Sequence, residues 1–237
     1  MITAPPLVGM MNGRAQRDGN GDVILRRGKP GYPARLAATA DAQQLLFVRG
    51  RVDVLELPAI AIVGAREASD AGRARARKLA RLLAQCGIAV ASGLARGIDT
   101  AAHRGALDAG GITFAVIGTP LTRCYPSENA ELQRRIGEVG AVVSQFAPSA
   151  KTRPSCFPMR NATMSGLTLG TLVVEASENS GSLIQARKAL EQGRRLFIPR
   201  SVFYDATLTW PRRLVRQGAI VFATIDELTN HLTHSQE

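Results

Sequence analysis

The sequence predicts an α/β fold: a doubly wound, mostly parallel sheet of about seven strands with helices on both faces, an extended Rossmann-like domain. Three observations predict it. Apolar runs of strand length recur from Ala59 to Phe222, segments of helical spacing separate most of them, and the glycines, serines and arginines fall where the runs stop.

Taken in order, residues 1–32 are rich in Gly, Pro, Arg and Asn without a sustained apolar period, and read as a flexible arm or a reduced N-terminal extension. The Rossmann-like domain is expected over residues 33–237. It opens with a short helix near Ala34–Ala40 and a strand at Gln44–Val48, ending before Pro58. The regular part follows, with strands at Ala59–Val63, Ile88–Ala91, Thr113–Ile117, Ala141–Ser144, Leu172–Glu175, Arg195–Ile198 and Ala219–Phe222. Continuous apolar strands between helices describe a parallel sheet covered on both faces. Asp70–Cys86 reads as a helix capped by Ser69 or Asp70, with Leu79, Leu82, Leu83 and Cys86 inward and Arg73, Arg77 and Arg81 in an i, i+4 stripe. The plain reading of that stripe is a solvated face; the alternative is a polyanion that offsets the repulsion of like charges.

A chain of 237 residues, 45% hydrophobic, can bury one sizeable core. No apolar run approaches a membrane span, and no basic region followed by an apolar core marks a secretory signal, so the expected compartment is the cytoplasm, with no membrane partner. Cys86, Cys124 and Cys156 are odd in number and far apart, which argues against a disulfide framework and a zinc site; no metal or cofactor is expected. Lys and Arg total 30 against 19 Asp and Glu, a net charge of +11 that favours a polyanionic partner. Arginine outnumbers lysine, which suits bidentate phosphate contacts, although genome base composition produces the same bias.

The special residues share one place in the expected fold. Gly64-Ala65-Arg66, Ser92 to Asp99, Gly118-Thr119-Pro120, Ser144-Gln145 and Glu175-Ala-Ser each follow a strand, at the carboxyl edge where open α/β sheets hold their ligand crevice. Ser92-Gly93-Leu94-Ala95-Arg96-Gly97-Ile98-Asp99 leaves a strand, crosses two glycines and enters a helix with an arginine at its mouth, the outline of an anion site; the alternative is a turn that serves packing only. Arg66 either clamps a phosphate at the crevice or is a surface arginine of a βα turn. Phe157-Pro158-Met159-Arg160-Asn161 joins an aromatic, a rigid turn, a cation and an amide. Phe157 can stack on a base while Arg160 holds the backbone, with Lys151 and Arg153 just upstream, or Phe157 simply anchors a loop. Ser180 or Ser182 can cap a helix, with Gly181 allowing close approach, but Glu175 and Glu178 oppose an anion there unless they hydrogen-bond arginines or ligand hydroxyls. No hydrolase or metalloprotease motif is present. His103 reads as structural, tying its helix to a loop, and Asp99 as a helix cap or a partner for Arg96.

In this order and at this spacing, Ile62-Val-Gly-Ala-Arg66, Ser92 to Asp99, Ala102-His103, Gly105-Ala-Leu107, Tyr125-Pro126, Phe157-Pro-x-Arg160-Asn161, Val174-Glu175-Ala and Ser180-Gly-Ser-Leu183 resemble the DNA-processing protein A (DprA/Smf) family over roughly residues 32–225. The resemblance implies a Rossmann-like, dimeric, non-catalytic protein. It implies binding of single-stranded DNA and loading of the RecA recombinase during natural transformation. By motif, Arg66, Ser92, Gly93, Arg96, Gly97, Phe157, Arg160, Asn161, Ser180 and Gly181 would line the DNA pocket, with Lys151 nearby. The chain departs from the family pattern at Ala162-Thr163, where an arginine and an isoleucine are usual, at Gln185 in place of a threonine, and at Pro199-Arg200 in place of Pro-Gly. The helical domain that precedes the fold in many members is expected to be absent or reduced to the first residues, and no winged-helix-like tail is expected after Glu237. Two other readings stand beside this one. One is a nucleotide-derivative binding or hydrolysing protein in which Glu175 acts on a glycosidic bond; the other is a mobile-element or defence paralogue of the family.

Overall fold

Apolar runs with no polar alternation can be strands only where both faces of a sheet are covered, and that is how the chain uses them. The computed structural model describes residues 16–233. In chain order the first half consists of β1 (Val23–Arg26), α1 (Ala34–Ala37), β2 (Leu45–Gly50), β3 (Ala59–Gly64), α2 (Asp70–Gln85), β4 (Ala89–Ser92), α3 (Ile98–Asp108) and β5 (Thr113–Ile117). The second half continues with α4 (Ala130–Val139), β6 (Ala141–Ser144), α5 (Cys156–Leu167), β7 (Gly170–Glu175), α6 (Gly181–Glu191), β8 (Arg195–Pro199), α7 (Arg200–Phe203), α8 (Trp210–Arg216), β9 (Ile220–Phe222) and α9 (Ile225–Thr233).

The strands form one nine-stranded sheet in the order β1-β2-β6-β5-β4-β3-β7-β8-β9. From β6 to β9 every neighbour is parallel; β2 pairs antiparallel with β6, and β1 antiparallel with β2. The expected doubly wound parallel sheet is present, extended at one edge by two antiparallel strands.

That edge corrects one expectation. Residues 16–32 belong to the fold rather than to an arm: Val23 to Arg26 pair with Val48 to Leu45. Asp22, 4% exposed, accepts a bidentate pair from Arg49 in β2, at 2.8 Å from Nε and 2.7 Å from the second nitrogen. Residues 1–15 of the expected arm lie outside the described residues.

Successive residues of each strand point to opposite faces, so each apolar run splits between two cores. Ala59, Ala61, Val63, Ala89, Ala91, Phe114, Val116 and Val173 face Leu36 of α1, Met164 and Leu167 of α5, Leu183 of α6 and Trp210 of α8. Ile60, Ile62, Val90, Leu172 and Val174 face Ala76, Ala80 and Leu83 of α2 and Ile98, Ala102 and Ala106 of α3. On the same face, Ala115, Ile117 and Val142 meet Leu132 and Ile136 of α4.

Helix α2 starts at the expected cap, Ser69, whose Oγ accepts from Gly72 N at 2.9 Å. Its buried stripe is Gly72, Ala76, Ala80 and Leu83, while Cys86, expected inward, is exposed. Small residues are needed because α3 lies close: a Cβ on Gly105 would stand 2.3 Å from the carbonyl oxygen of Arg77. The arginine stripe faces solvent, with Arg77 bonded to Asp108 at 2.8 Å and Arg73 paired with Asp70. Among the described residues no helix is long and apolar enough to cross a membrane.

Candidate functional site

The turns that follow β3, β4, β5 and β7 open on one cleft of about 700 Å³ at the carboxyl edge of the sheet. Arg66, just past β3, is exposed and places its guanidinium carbon 5.4 Å from the centroid of the Phe157 ring. Tyr125, 54% exposed, has its ring centroid 5.5 Å from that of Phe157, the two rings tilted by 51°. Gly118, after β5, makes room for the Phe157 ring, since a Cβ there would come within 2.7 Å of it. An arginine, a half-buried phenylalanine and an exposed tyrosine thus form a cation–aromatic group at the mouth of the cleft.

Phe157 to Asn161, expected as a turn, begin helix α5. Pro158 sits in the first helical turn, where its missing N–H leaves no bond unmade. This helical start turns Phe157 and Asn161 toward the cleft and drives Arg160 inward to 6% exposure.

The loop Ser92 to Asp99 is stabilised from inside. Leu94, fully buried, has φ 60°, an uncommon left-handed conformation for a residue with a side chain. The buried Asp99 carboxylate holds it by accepting from Gly93 N at 3.1 Å and Ala95 N at 3.3 Å, on either side of Leu94. Asn129 donates to the Leu94 carbonyl at 2.9 Å. Ser92 donates to the carbonyl of Ile62 at 2.6 Å and is fully buried, so its hydroxyl links β4 to β3 and does not reach the cleft. Gly97, φ 72°, caps α3, and a Cβ there would meet the carbonyl oxygen of Ala65 at 2.3 Å. Gly93 is required for a different reason: a Cβ would stand 1.7 Å from a terminal nitrogen of Arg160.

Arg160 donates to the Val116 carbonyl at 2.7 Å, so the cation expected to grip a ligand backbone is tied into the sheet, with part of its surface on the cleft. Burial lowers its pKa, an effect countered by Asp99 and reinforced by the nearby Arg66. Burial likewise raises that of Asp99, with the Arg160 charge and the loop amides opposing it. His103 is fully buried. Its Nδ1 meets Thr113 Oγ1 at 2.7 Å, and because that hydroxyl donates to the Val90 carbonyl at 2.7 Å, Nδ1 carries the proton. His103 therefore ties α3 to strands β4 and β5 rather than to a loop. Burial, with Arg160 nearby, pushes its pKa down to about 3.

Both glutamates of the Glu175 to Ser182 segment are engaged. Glu175 accepts from Ser69 N at 2.8 Å and from Ser69 Oγ at 2.6 Å at the start of α2. Glu178 accepts from Thr209 N at 2.9 Å and Trp210 N at 3.0 Å at the start of α8. That leaves Ser180, which caps α6, and Gly181, with open space around it, on the cleft wall.

Of the sequence-predicted residues, Arg66, Phe157, Arg160, Asn161, Ser180 and Gly181 come together in the main cleft. Gly93 and Arg96 line an adjoining groove of about 380 Å³, where Arg96 pairs with Glu128 and not with Asp99. Ser92 and Gly97 line neither, and neither does Lys151, exposed in the loop whose neighbours Thr152 and Arg153 reach the cleft. Sequence reasoning did not place Tyr125, Thr152 and Gln185 on the wall. Among the buried polar atoms without a hydrogen-bond partner are Thr152 Oγ1, Arg160 Nε and Gln185 Oε1, all on residues of this one cleft.

Comparison with known proteins follows the same lines. The family model for DNA recombination-mediator protein A matches residues 23–233. The DNA processing protein DprA of Streptococcus pneumoniae is 42% identical over 79% of this chain and 66% of its own length, and protein Smf of Escherichia coli 40% identical over 85% and 54%. This chain thus spans between about half and two thirds of those relatives. The structure of the pneumococcal protein superposes with a TM-score of 0.82 at 36% identity, covering 88% of this chain and 74% of that one. The Helicobacter pylori DNA processing protein A, whose structure was described for its single-stranded DNA binding mode, gives 0.75 at 25% identity, covering 84% and 92%. With its motifs in order on one sheet edge and the family match running almost end to end through the described fold, this chain belongs to the DNA recombination-mediator protein A family.

Proposed function

We propose that this chain binds single-stranded DNA in the cleft at the carboxyl edge of its sheet and acts as a recombination mediator. In that role it protects the incoming strand and delivers it to a RecA-type recombinase during DNA-mediated transformation. It works in the cytoplasm as a homodimer and catalyses no chemical step. The observation that carries the reading is the Arg66–Phe157–Tyr125 group at the mouth of the cleft. A cation beside an exposed tyrosine and a half-buried phenylalanine suits bases already unstacked from a duplex, whose own base faces are stacked away. The net charge of +11 supports a polyanion, and the Helicobacter pylori relative is described as a single-stranded DNA binder.

Glu175 argues against the hydrolase reading. Its two oxygens are occupied by Ser69, and its carboxylate fills the space a side chain on Gly72 would take, 2.0 Å from that Cβ, so it is not presented to a ribose.

Titrating single-stranded and duplex oligonucleotides at two salt concentrations tests the proposal. Tight, strongly salt-dependent binding to the single strand is expected, and Arg66→Ala should shallow the slope of log K against log salt by about 0.7, one phosphate's worth. Equal affinity for duplex, or no binding at low salt, would refute it.

A further inference from the structure

The main cleft does not end at Ser180. Past Ser180 and Ile184, which both spaces share, it continues into a second groove of about 440 Å³ between α6 and α8. At its other end it shares Arg66, Tyr125 and Phe157 with the groove that holds Arg96. The three spaces form one trough across the sheet edge.

We propose that the α6–α8 groove is a separate subsite for the single strand as it leaves the main cleft. Arg187 would be its phosphate clamp and Ile184 the apolar ridge over which the strand passes. This rests on the single-stranded DNA reading above. The charges carry the assignment. Arg187 is exposed on α6 and makes no hydrogen bond or ion pair among the described residues, whereas Arg96, at the opposite end of the trough, is neutralised by Glu128. The one carboxylate in the groove, Glu178, is committed: one oxygen accepts from two amides of the α8 start, and the other faces Arg213 at 3.4 Å. Its charge is balanced where it stands, so the cation of Arg187 remains uncompensated. Ile184, 43% exposed, puts apolar surface between the two spaces, which suits the face of a base better than it suits water. A cation with no partner among the described residues, beside an apolar ridge and continuous with the main cleft, is the arrangement a phosphodiester chain fills.

The test is a ladder of oligothymidylates from about two to about twelve nucleotides, titrated by fluorescence anisotropy against the full chain and against Arg187→Ala and Ile184→Ser. The unchanged protein should gain affinity in a step once the oligonucleotide outgrows the main cleft. Arg187→Ala should leave the shortest oligonucleotides unaffected, weaken the long ones about tenfold and shallow their salt slope by about 0.7. Arg187→Glu should remove the step altogether. An unchanged step in all three variants, or an equal loss at every length, would overturn the subsite while leaving the main cleft's role intact. Absence of single-stranded DNA binding by the unchanged protein would overturn both.

Discussion

Gly93→Ala is the substitution that best separates a glycine kept for a ligand from one kept for a neighbouring side chain. The added methyl would stand 1.7 Å from one terminal nitrogen of Arg160, 2.4 Å from its central carbon and 2.6 Å from the other nitrogen. No rotamer change at an alanine relieves this, so the guanidinium must leave its seat. It then loses its bond to Val116 O, and bonds of this charged kind contribute about 1.5–3 kcal/mol. The buried Asp99 also loses the cation that favours its ionised form, which brings the expected cost to about 2–4 kcal/mol. For a domain of this size that lowers Tm by about 5–15 °C. Denaturant unfolding of Gly93→Ala, Arg160→Met and the double variant closes a double-mutant cycle. With the guanidinium gone the methyl should be nearly neutral, giving a coupling energy of about the same 2–4 kcal/mol. If Gly93→Ala costs as much in the Arg160→Met background as alone, the cost arises in the backbone and the Arg160 account is wrong.

Two more expectations concern the surroundings of the cleft. His103 is held neutral in the fold with its pKa near 3, against 6.5 for the free side chain, so its contribution is fully present above pH 6.5 and is lost as pH falls from there toward 3. Between about pH 7 and pH 5 that amounts to about 2 kcal/mol, and urea unfolding should show the loss in the unchanged protein but not in His103→Gln; parallel pH profiles would contradict it. Glu175→Gln should lower stability by about 1–2 kcal/mol by weakening the start of α2, and a melting curve identical to that of the unchanged protein would remove Glu175 from that role.

The parallel part of the sheet was legible because strands buried on both faces have nothing to alternate. From Ala59 to Phe222 each run of Ala, Val, Ile and Leu could only be a strand between helices. The carboxyl edge was legible for the same reason, since the residues after each run had to converge there. The remainder depends on contacts distant in sequence. β1 is four residues long among polar turns and acquires its identity from β2 and the Asp22–Arg49 pair. Cys86 was expected inward because it follows the leucines in helical period, but the approach of α3 at Gly105 sets a buried stripe of glycine and alanine instead. Pro158 signalled a turn and a helix start equally well. The seat of Arg160 under Gly93, and the pairing of Arg96 with Glu128, join residues whose local patterns contain no trace of each other.

The Asp22–Arg49 pair has a consequence for where this fold can be shortened. β1 lies along the outer edge of β2, satisfying main-chain groups that would otherwise face solvent in an open row. A chain trimmed to begin at Pro33 would keep the cleft's residues yet bare β2, whose Leu45-Leu46-Phe47-Val48 is apolar and unguarded by charge until Arg49. An edge of that kind pairs with any strand that presents itself, including the same edge of another molecule. The short strand at the front of the chain thus acts as a selvedge: remote from the cleft, it replaces the six-residue edge of β2 with one of four residues that ends on Arg26.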